Sequence, residues 1–327
     1  MPRLRRPQTP VSGNPVPRVA VIGAGGIGKH HAKWWSLCGA EVCAIAGSTR
    51  ASVARAKTGL QALFDFQGRT YAGVDTLLRH ETPDIVDVCS PPSLHYAHVD
   101  AALNAGCDVL CEKPFVFDPS LSADTLMGQA QSLVDHARRK GRRLSVCCQY
   151  AQGAKIFRQL WLRNRQQLEH FRARLETPAR DRTLDPRRIW VDLAPHPISA
   201  LLALAPSGHV DWTTVSARFD RNEATAQFQY PIQGAVPITC ELTVRNTTKP
   251  PKHVRHFALN DFTFDIDGVT DASGIYRTRI ATPNGHIVEM DMMHALICDF
   301  LHSKPVVDSR AMLANLAIML RILEVST

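Results

Sequence analysis

Residues 18–35 read RVAVIGAGGIGKHHAKWW, and this stretch decides the fold. Val19–Ile22 is a short apolar run that suits a buried strand. Gly23, Gly25 and Gly28 then give G-x-G-x-x-G, and the sequence runs on helically to about Cys38. Strand, glycine turn and helix in that order form the dinucleotide-binding fingerprint. Gly23 permits the tight turn, Gly25 lets backbone approach a pyrophosphate, and Gly28 allows close helix–strand packing. With Gly26 and Ile27 between them, these residues deliver free N–H groups and the positive end of a helix dipole to the phosphates.

A second strand (Glu41–Ala46) and a helix (Ala51–Leu60) complete the βαβ unit. An acidic residue about twenty positions past the glycines would hold the adenosine ribose hydroxyls. Here that place reads Ala46-Gly47-Ser48-Thr49-Arg50. Two hydroxyls and a guanidinium match a phosphate dianion, so NADP is the expected cofactor and NAD the second choice. The competing reading makes Ser48 a helix cap and Arg50 a solvated side chain.

Working outward, strands are expected at Ile85–Cys89, Asp108–Cys111 and Arg143–Cys148, with helices at Leu94–Ala105 and Leu121–Lys140. Alternating βα units predict a doubly wound parallel sheet with its ligand at the carboxyl ends of the strands. Beyond residue 148 the period changes. Cys240, Leu242 and Val244 alternate with polar residues, as do Phe262, Phe264 and Ile266. Further strands are expected near Trp212–Phe219, Thr225–Tyr230, Tyr276–Ile280 and Ile287–Met290, and helices at Met293–Leu301 and Ser309–Leu323. The chain therefore divides into a basic arm (1–16), a dinucleotide-binding domain (17–148) and an α+β domain (149–327).

Composition agrees: 45% of the 327 residues are hydrophobic and 21% charged, an ordinary globular balance. No apolar run approaches membrane-spanning length, and the first 17 residues lack the apolar core of a signal peptide. The net charge of +8 gathers at Arg3–Arg6, Arg138–Arg143 and Arg158–Arg188 without any nucleic-acid-reading motif. The nine cysteines are odd in number and mostly lie in apolar runs. They are expected to be reduced, buried side chains of a cytoplasmic protein, with no disulfide framework and no metal site.

The segments Ser90-Pro91-Pro92-Ser93-Leu94-His95, Ala101–Gly106 and Val109-Leu110-Cys111-Glu112-Lys113-Pro114 resemble the Gfo/Idh/MocA family, the relatives of glucose–fructose oxidoreductase and inositol dehydrogenase. That resemblance implies a Rossmann domain followed by an α+β domain with a large, mainly antiparallel sheet that makes homodimer or homotetramer contacts. It implies cofactor contacts from Ser90, Pro91, His95, Glu112, Lys113 and Gln149. It also places Lys113 beside the nicotinamide and the reacting oxygen. A buried lysine next to a positive nicotinamide should have a lowered pKa and exchange a proton with that oxygen.

The family's Asp-x-x-x-His motif appears as Asp192-Leu-Ala-Pro-His196. Histidine titrates in the useful range, so His196 is the expected acid/base, with Asp192 binding substrate or orienting the ring. Pro195 and Pro197 argue for the first turn of a helix there. Two departures, Ser199 and Gln149, weaken the case for an inositol-type polyol. The arginines of 158–188 are expected mostly on solvated helix faces, with Arg187 or Arg188 open to an anionic, sugar-like substrate. The expected activity is NAD(P)-dependent oxidation or reduction of a small polar alcohol or ketone. An imine reductase and a non-enzymatic NADP-binding regulator are the alternatives.

Overall fold

A computed structural model describes residues 15–161, 166–179, 183–247, 250, 253–305 and 307–326. The chain forms two compact units, residues 1–147 with 296–305, and residues 148–295 with 306–327. The first unit ends at residue 147, and residues 296–305 return to it.

The first unit runs β1 (Arg18–Ile22), α1 (Gly28–Leu37), β2 (Glu41–Gly47), α2 (Arg50–Gln61), β3 (Arg69–Ala72), α3 (Val74–Glu81), β4 (Ile85–Val88), α4 (His95–Asn104), β5 (Asp108–Cys111), α5 (Ala123–Lys140) and β6 (Leu144–Val146). Its strands order β3-β2-β1-β4-β5-β6, with every pairing parallel. β1, β4 and β5 are almost wholly buried, as strands covered on both faces must be. The strand order reverses between β1 and β4, which opens a ligand crevice at their carboxyl ends. β3 and α3 were not anticipated, because Arg-Thr-Tyr-Ala on an exposed sheet edge carries no apolar run. α5 starts at Ser122, whose side chain accepts from Thr125 N, and stops at Gly141 with φ 62°.

The second unit contains α6 (Gln149–Trp161), β7 (His170–Pro178), α7 (Pro186–Leu193), α8 (Pro195–Leu204), β8 (Asp211–Asp220), β9 (Glu223–Tyr230), β10 (Ile238–Thr247), β11 (Val254–Leu259), β12 (Phe262–Thr270), β13 (Tyr276–Thr282) and β14 (Gly285–Met290). α9 (Met292–Leu301) follows and α10 (Ser309–Val325) ends the chain. The eight strands order β14-β13-β12-β11-β7-β10-β9-β8, and only β7 and β10 pair in parallel. One face carries the core: Phe157 of α6 stacks on Phe257 at 5.2 Å and Phe264 at 4.5 Å, and Trp190 of α7 on Phe219 at 5.5 Å. Among the described residues no helix is long and apolar enough to cross a membrane.

Three expectations need correction. The strand expected at Arg143–Cys148 covers only Leu144–Val146, and Gln149 opens a helix. The arginine-rich stretch holds β7, in which Phe171, Ala173 and Leu175 alternate with exposed Arg172 and Arg174, so those arginines line a strand and not a helix. Finally, the cysteines are not all reduced: Cys38, at the end of α1, forms a disulfide with Cys298 of α9, Cα atoms 5.5 Å apart. With a sequence separation of 260, nothing local in the sequence could announce the pair. The other seven form no disulfide and are buried, as expected.

Candidate active site

The glycine turn has the geometry that its sequence demands. Gly23 adopts φ +91°, and a Cβ there would lie 2.5 Å from the Cys89 carbonyl oxygen. A Cβ on Gly28 would meet the Gly23 oxygen at 2.7 Å and Cys89 Cβ at 2.9 Å, so both positions exclude any side chain. At Gly25 and Gly26 a Cβ would meet nothing within 4 Å. That side of the turn is open. α1 begins beyond exposed Ile27 with no side-chain cap and no acid in its first turn, which leaves its amides to a ligand.

At the end of β2, Ser48, Thr49 and Arg50 are exposed. Thr49, not Ser48, caps α2. Its hydroxyl accepts from Ser52 N at 3.1 Å while Ser52 Oγ accepts from Thr49 N at 3.1 Å, a reciprocal capping box. Thr49 is thus spent on its helix, and Ser48 and Arg50 remain for a ligand.

At the end of β5, Glu112 N donates to Val88 O at 2.8 Å and extends the sheet pairing into the Glu-Lys-Pro segment. Lys113 is half-buried, and the Lys113–Pro114 peptide bond is cis. His95 is fully buried, with Nε2 2.8 Å from the Ser90 carbonyl and Nδ1 2.9 Å from the Pro114 carbonyl. Burial lowers its pKa. The ring braces two loops against each other instead of facing a ligand. His98 Nδ1 meets Ser90 Oγ at 2.9 Å.

Sequence reasoning missed a buried cluster beside this segment. His31 of α1 places Nδ1 2.9 Å from Asp87 Oδ2 and Nε2 3.1 Å from Glu112 Oε1. Trp35 Nε1 also donates to Asp87 Oδ2, at 2.6 Å. The available signal was Asp87 itself, a carboxylate inside a strand buried on both faces.

In the second unit, Asp192 lies in the last turn of α7 and His196 in the first turn of α8, with Pro195 at the helix start as expected. His196 is buried and meets Tyr150 edge-on at 5.3 Å between ring centroids. Ser199 Oγ donates to the His196 carbonyl at 2.6 Å, so its hydroxyl is tied to helix backbone. Tyr150 is buried, which raises its pKa, and it packs on Phe257 at 5.0 Å. Arg255, two residues from Phe257 on β11, acts electrostatically on Tyr150, Tyr276 and Asp291. Burial raises the pKa of Asp291, which accepts from Met293 N at 3.0 Å and His294 N at 3.2 Å.

The arginine stretch does not converge. Arg187 donates to Leu323 O at 2.9 Å and Ser326 Oγ at 3.1 Å, and Arg188 to Thr183 O at 2.5 Å. Arg158 bonds the Leu204 carbonyl, and Arg174 pairs with Glu176. Arg163, Arg165, Arg180 and Arg182 lie outside the described residues.

Residues 17–148 match a family model described as an oxidoreductase family with an NAD-binding Rossmann fold. D-glucoside 3-dehydrogenase of Escherichia coli K12 is 38% identical over 132 residues, which are 39% of this chain and 33% of that protein. The match therefore spans a third of that relative's length. UDP-N-acetylglucosamine 3-dehydrogenase of Acidithiobacillus ferrooxidans is 25% identical over 302 residues, 88% of each chain. A solved structure of that enzyme superposes with a TM-score of 0.70 at 18% identity, covering 96% of this chain and 98% of its own. An inositol dehydrogenase homologue from Azotobacter vinelandii, complexed with NAD+, gives 0.69 at 16% identity, covering 94% and 95%. At these identities the solved structures speak for the fold.

Proposed function

We propose that the chain is a member of the Gfo/Idh/MocA oxidoreductase family, whose model residues 17–148 match. From that premise we propose that the chain is an NAD(P)-dependent dehydrogenase, NADP preferred, acting on a small, polar, sugar-like alcohol or ketone. The observation that carries this reading is the place of Lys113, directly after β5 in a sheet whose order reverses between β1 and β4. Residues at such carboxyl ends face the ligand crevice of a doubly wound sheet.

The nicotinamide, when bound, accepts or returns the hydride. Lys113 holds a proton at Nζ for the substrate oxygen and stabilises negative charge developing there. His196 exchanges a proton with the same oxygen, and Asp192 orients the imidazole or holds a neighbouring hydroxyl. The open turn at Gly25 and Gly26, with the uncapped start of α1, takes the diphosphate. Ser48 and Arg50 take the 2′-phosphate. A sugar-like substrate is supported by the full-length similarity to UDP-N-acetylglucosamine 3-dehydrogenase. Homo-oligomer contacts belong to the second unit's sheet, whose edge strand β14 exposes Val288 and Met290. A cytoplasmic setting is favoured by the seven cysteines that form no disulfide, with the Cys38–Cys298 bond weighing against it.

The test is a tryptophan-fluorescence titration with NADPH and NADH, followed by a turnover screen of glucosides, nucleotide sugars and inositols. Reduction of NADP+ by one of these supports the reading. Tight NADPH binding with no turnover anywhere in the panel would replace it with a non-enzymatic, cofactor-sensing role.

A further inference from the structure

The cluster around His31 links the two halves of the cofactor-binding apparatus. His31 sits on α1, three residues past Gly28, and Glu112 immediately precedes Lys113. Glu112 splits its carboxylate, with Oε1 3.1 Å from His31 Nε2 and Oε2 accepting the Lys113 backbone N–H at 3.0 Å. On the other side of the ring, Asp87 Oδ2 is held by both His31 and Trp35.

We propose that His31 is a cationic positioning residue that holds Lys113 in place through Glu112; the proposal rests on the dehydrogenase reading above. Carboxylates only accept, so a ring flanked by two of them must donate from both nitrogens, and only the imidazolium does that. His31 and Asp87 are wholly inaccessible and Glu112 is 6% exposed. Two carboxylates buried this deeply require a cation between them. The other groups facing the ring are Cys89 Sγ, 3.3 Å from Nδ1, and Cys147 Sγ, 3.9 Å from Nε2. Burial alone would discharge His31, but the Asp87 carboxylate hydrogen-bonded to its ring holds its pKa above the ordinary value. Without the cation, Glu112 has reason to protonate or swing away, and the Lys113 amide loses its acceptor. A small displacement of a proton-handling group is enough to cost much of the rate.

Three measurements test this. In the wild-type protein, 15N spectra of the His31 ring should show both nitrogens protonated at neutral pH, and the Lys113 amide should be protected from hydrogen exchange. In His31→Gln, NADPH affinity and substrate KM should stay within about threefold, while kcat falls about 100-fold. Lys113 exchange should quicken at least about tenfold. A singly protonated ring, an unprotected Lys113 amide in the wild type, or a variant that loses thermal stability while keeping kcat per folded molecule would each overturn the proposal. If the wild type turns over no substrate, the dehydrogenase reading fails separately. The spectra and the exchange still decide the role of His31, and neither depends on the variant folding.

Discussion

The imidazole of His95 joins the carbonyl of Pro114 at 2.9 Å and, across the ring, that of Ser90 at 2.8 Å. One side chain thus braces the loop after β4 against the loop after β5. His95→Phe fills the same volume but removes the ring N–H from between the two carbonyls. We expect a loss of about 1–3 kcal/mol, read as a lower thermal midpoint, together with weaker NADPH binding. Unchanged stability and binding would show that the brace is idle.

The glycine turn separates two effects that are usually confounded. Gly28→Ala forces a Cβ against Gly23 O and Cys89 Cβ and should destabilise the apoprotein by about 1–3 kcal/mol. Gly25→Ala meets no protein atom within 4 Å, so apoprotein stability should hold while cofactor affinity drops. Calorimetry without cofactor and titration with it distinguish the two variants.

On the proposed reading, cofactor choice rests on Ser48 and Arg50, since Thr49 is engaged in its capping box. Arg50→Ala should weaken NADPH binding about tenfold, or about 1.4 kcal/mol, and leave NADH binding unchanged. Equal weakening of both would remove Arg50 from the phosphate site.

Stability should fall on the alkaline side. Burial raises the thiol pKa of Cys43 and Cys107 to about 11 and that of Cys147 to about 12, and His31 is also held high. Groups whose pKa is raised by folding stabilise fully below their unfolded value and lose that contribution as pH climbs toward the folded one. For His31 the unfolded imidazole discharges near pH 6.5, so its loss begins there and runs up to the raised folded value. For the thiols the unfolded chain starts releasing protons near pH 9. Denaturant unfolding between pH 7 and 10.5 should show a decline that steepens above about pH 9, where the thiols join His31.

Much of the first unit was legible because buried parallel strands such as Val19–Ile22 and Asp108–Cys111 are apolar and bounded by glycine or proline. β3 was not, because an edge strand need not be apolar. β7 was hidden differently: its Phe171, Ala173 and Leu175 have the right period, but Arg172 and Arg174 between them read as part of a charge cluster. The glycines, Lys113 and His196 stood out through motifs whose chemistry depends on spacing. His31 did not, because its partners Asp87 and Glu112 lie 56 residues from it in one case and in another loop in the other. Only the fold makes them neighbours.

The disulfide between Cys38 and Cys298 also changes what the chain is as a covalent object. Everything from Gly39 to Ile297 is the circumference of a closed ring, and the stretch of the second unit from 148 to 295 lies on it. One protease cut anywhere on that circumference opens the ring without dividing the molecule. A nicked sample should therefore run as one band on a denaturing gel and resolve into two fragments only after a reductant is added.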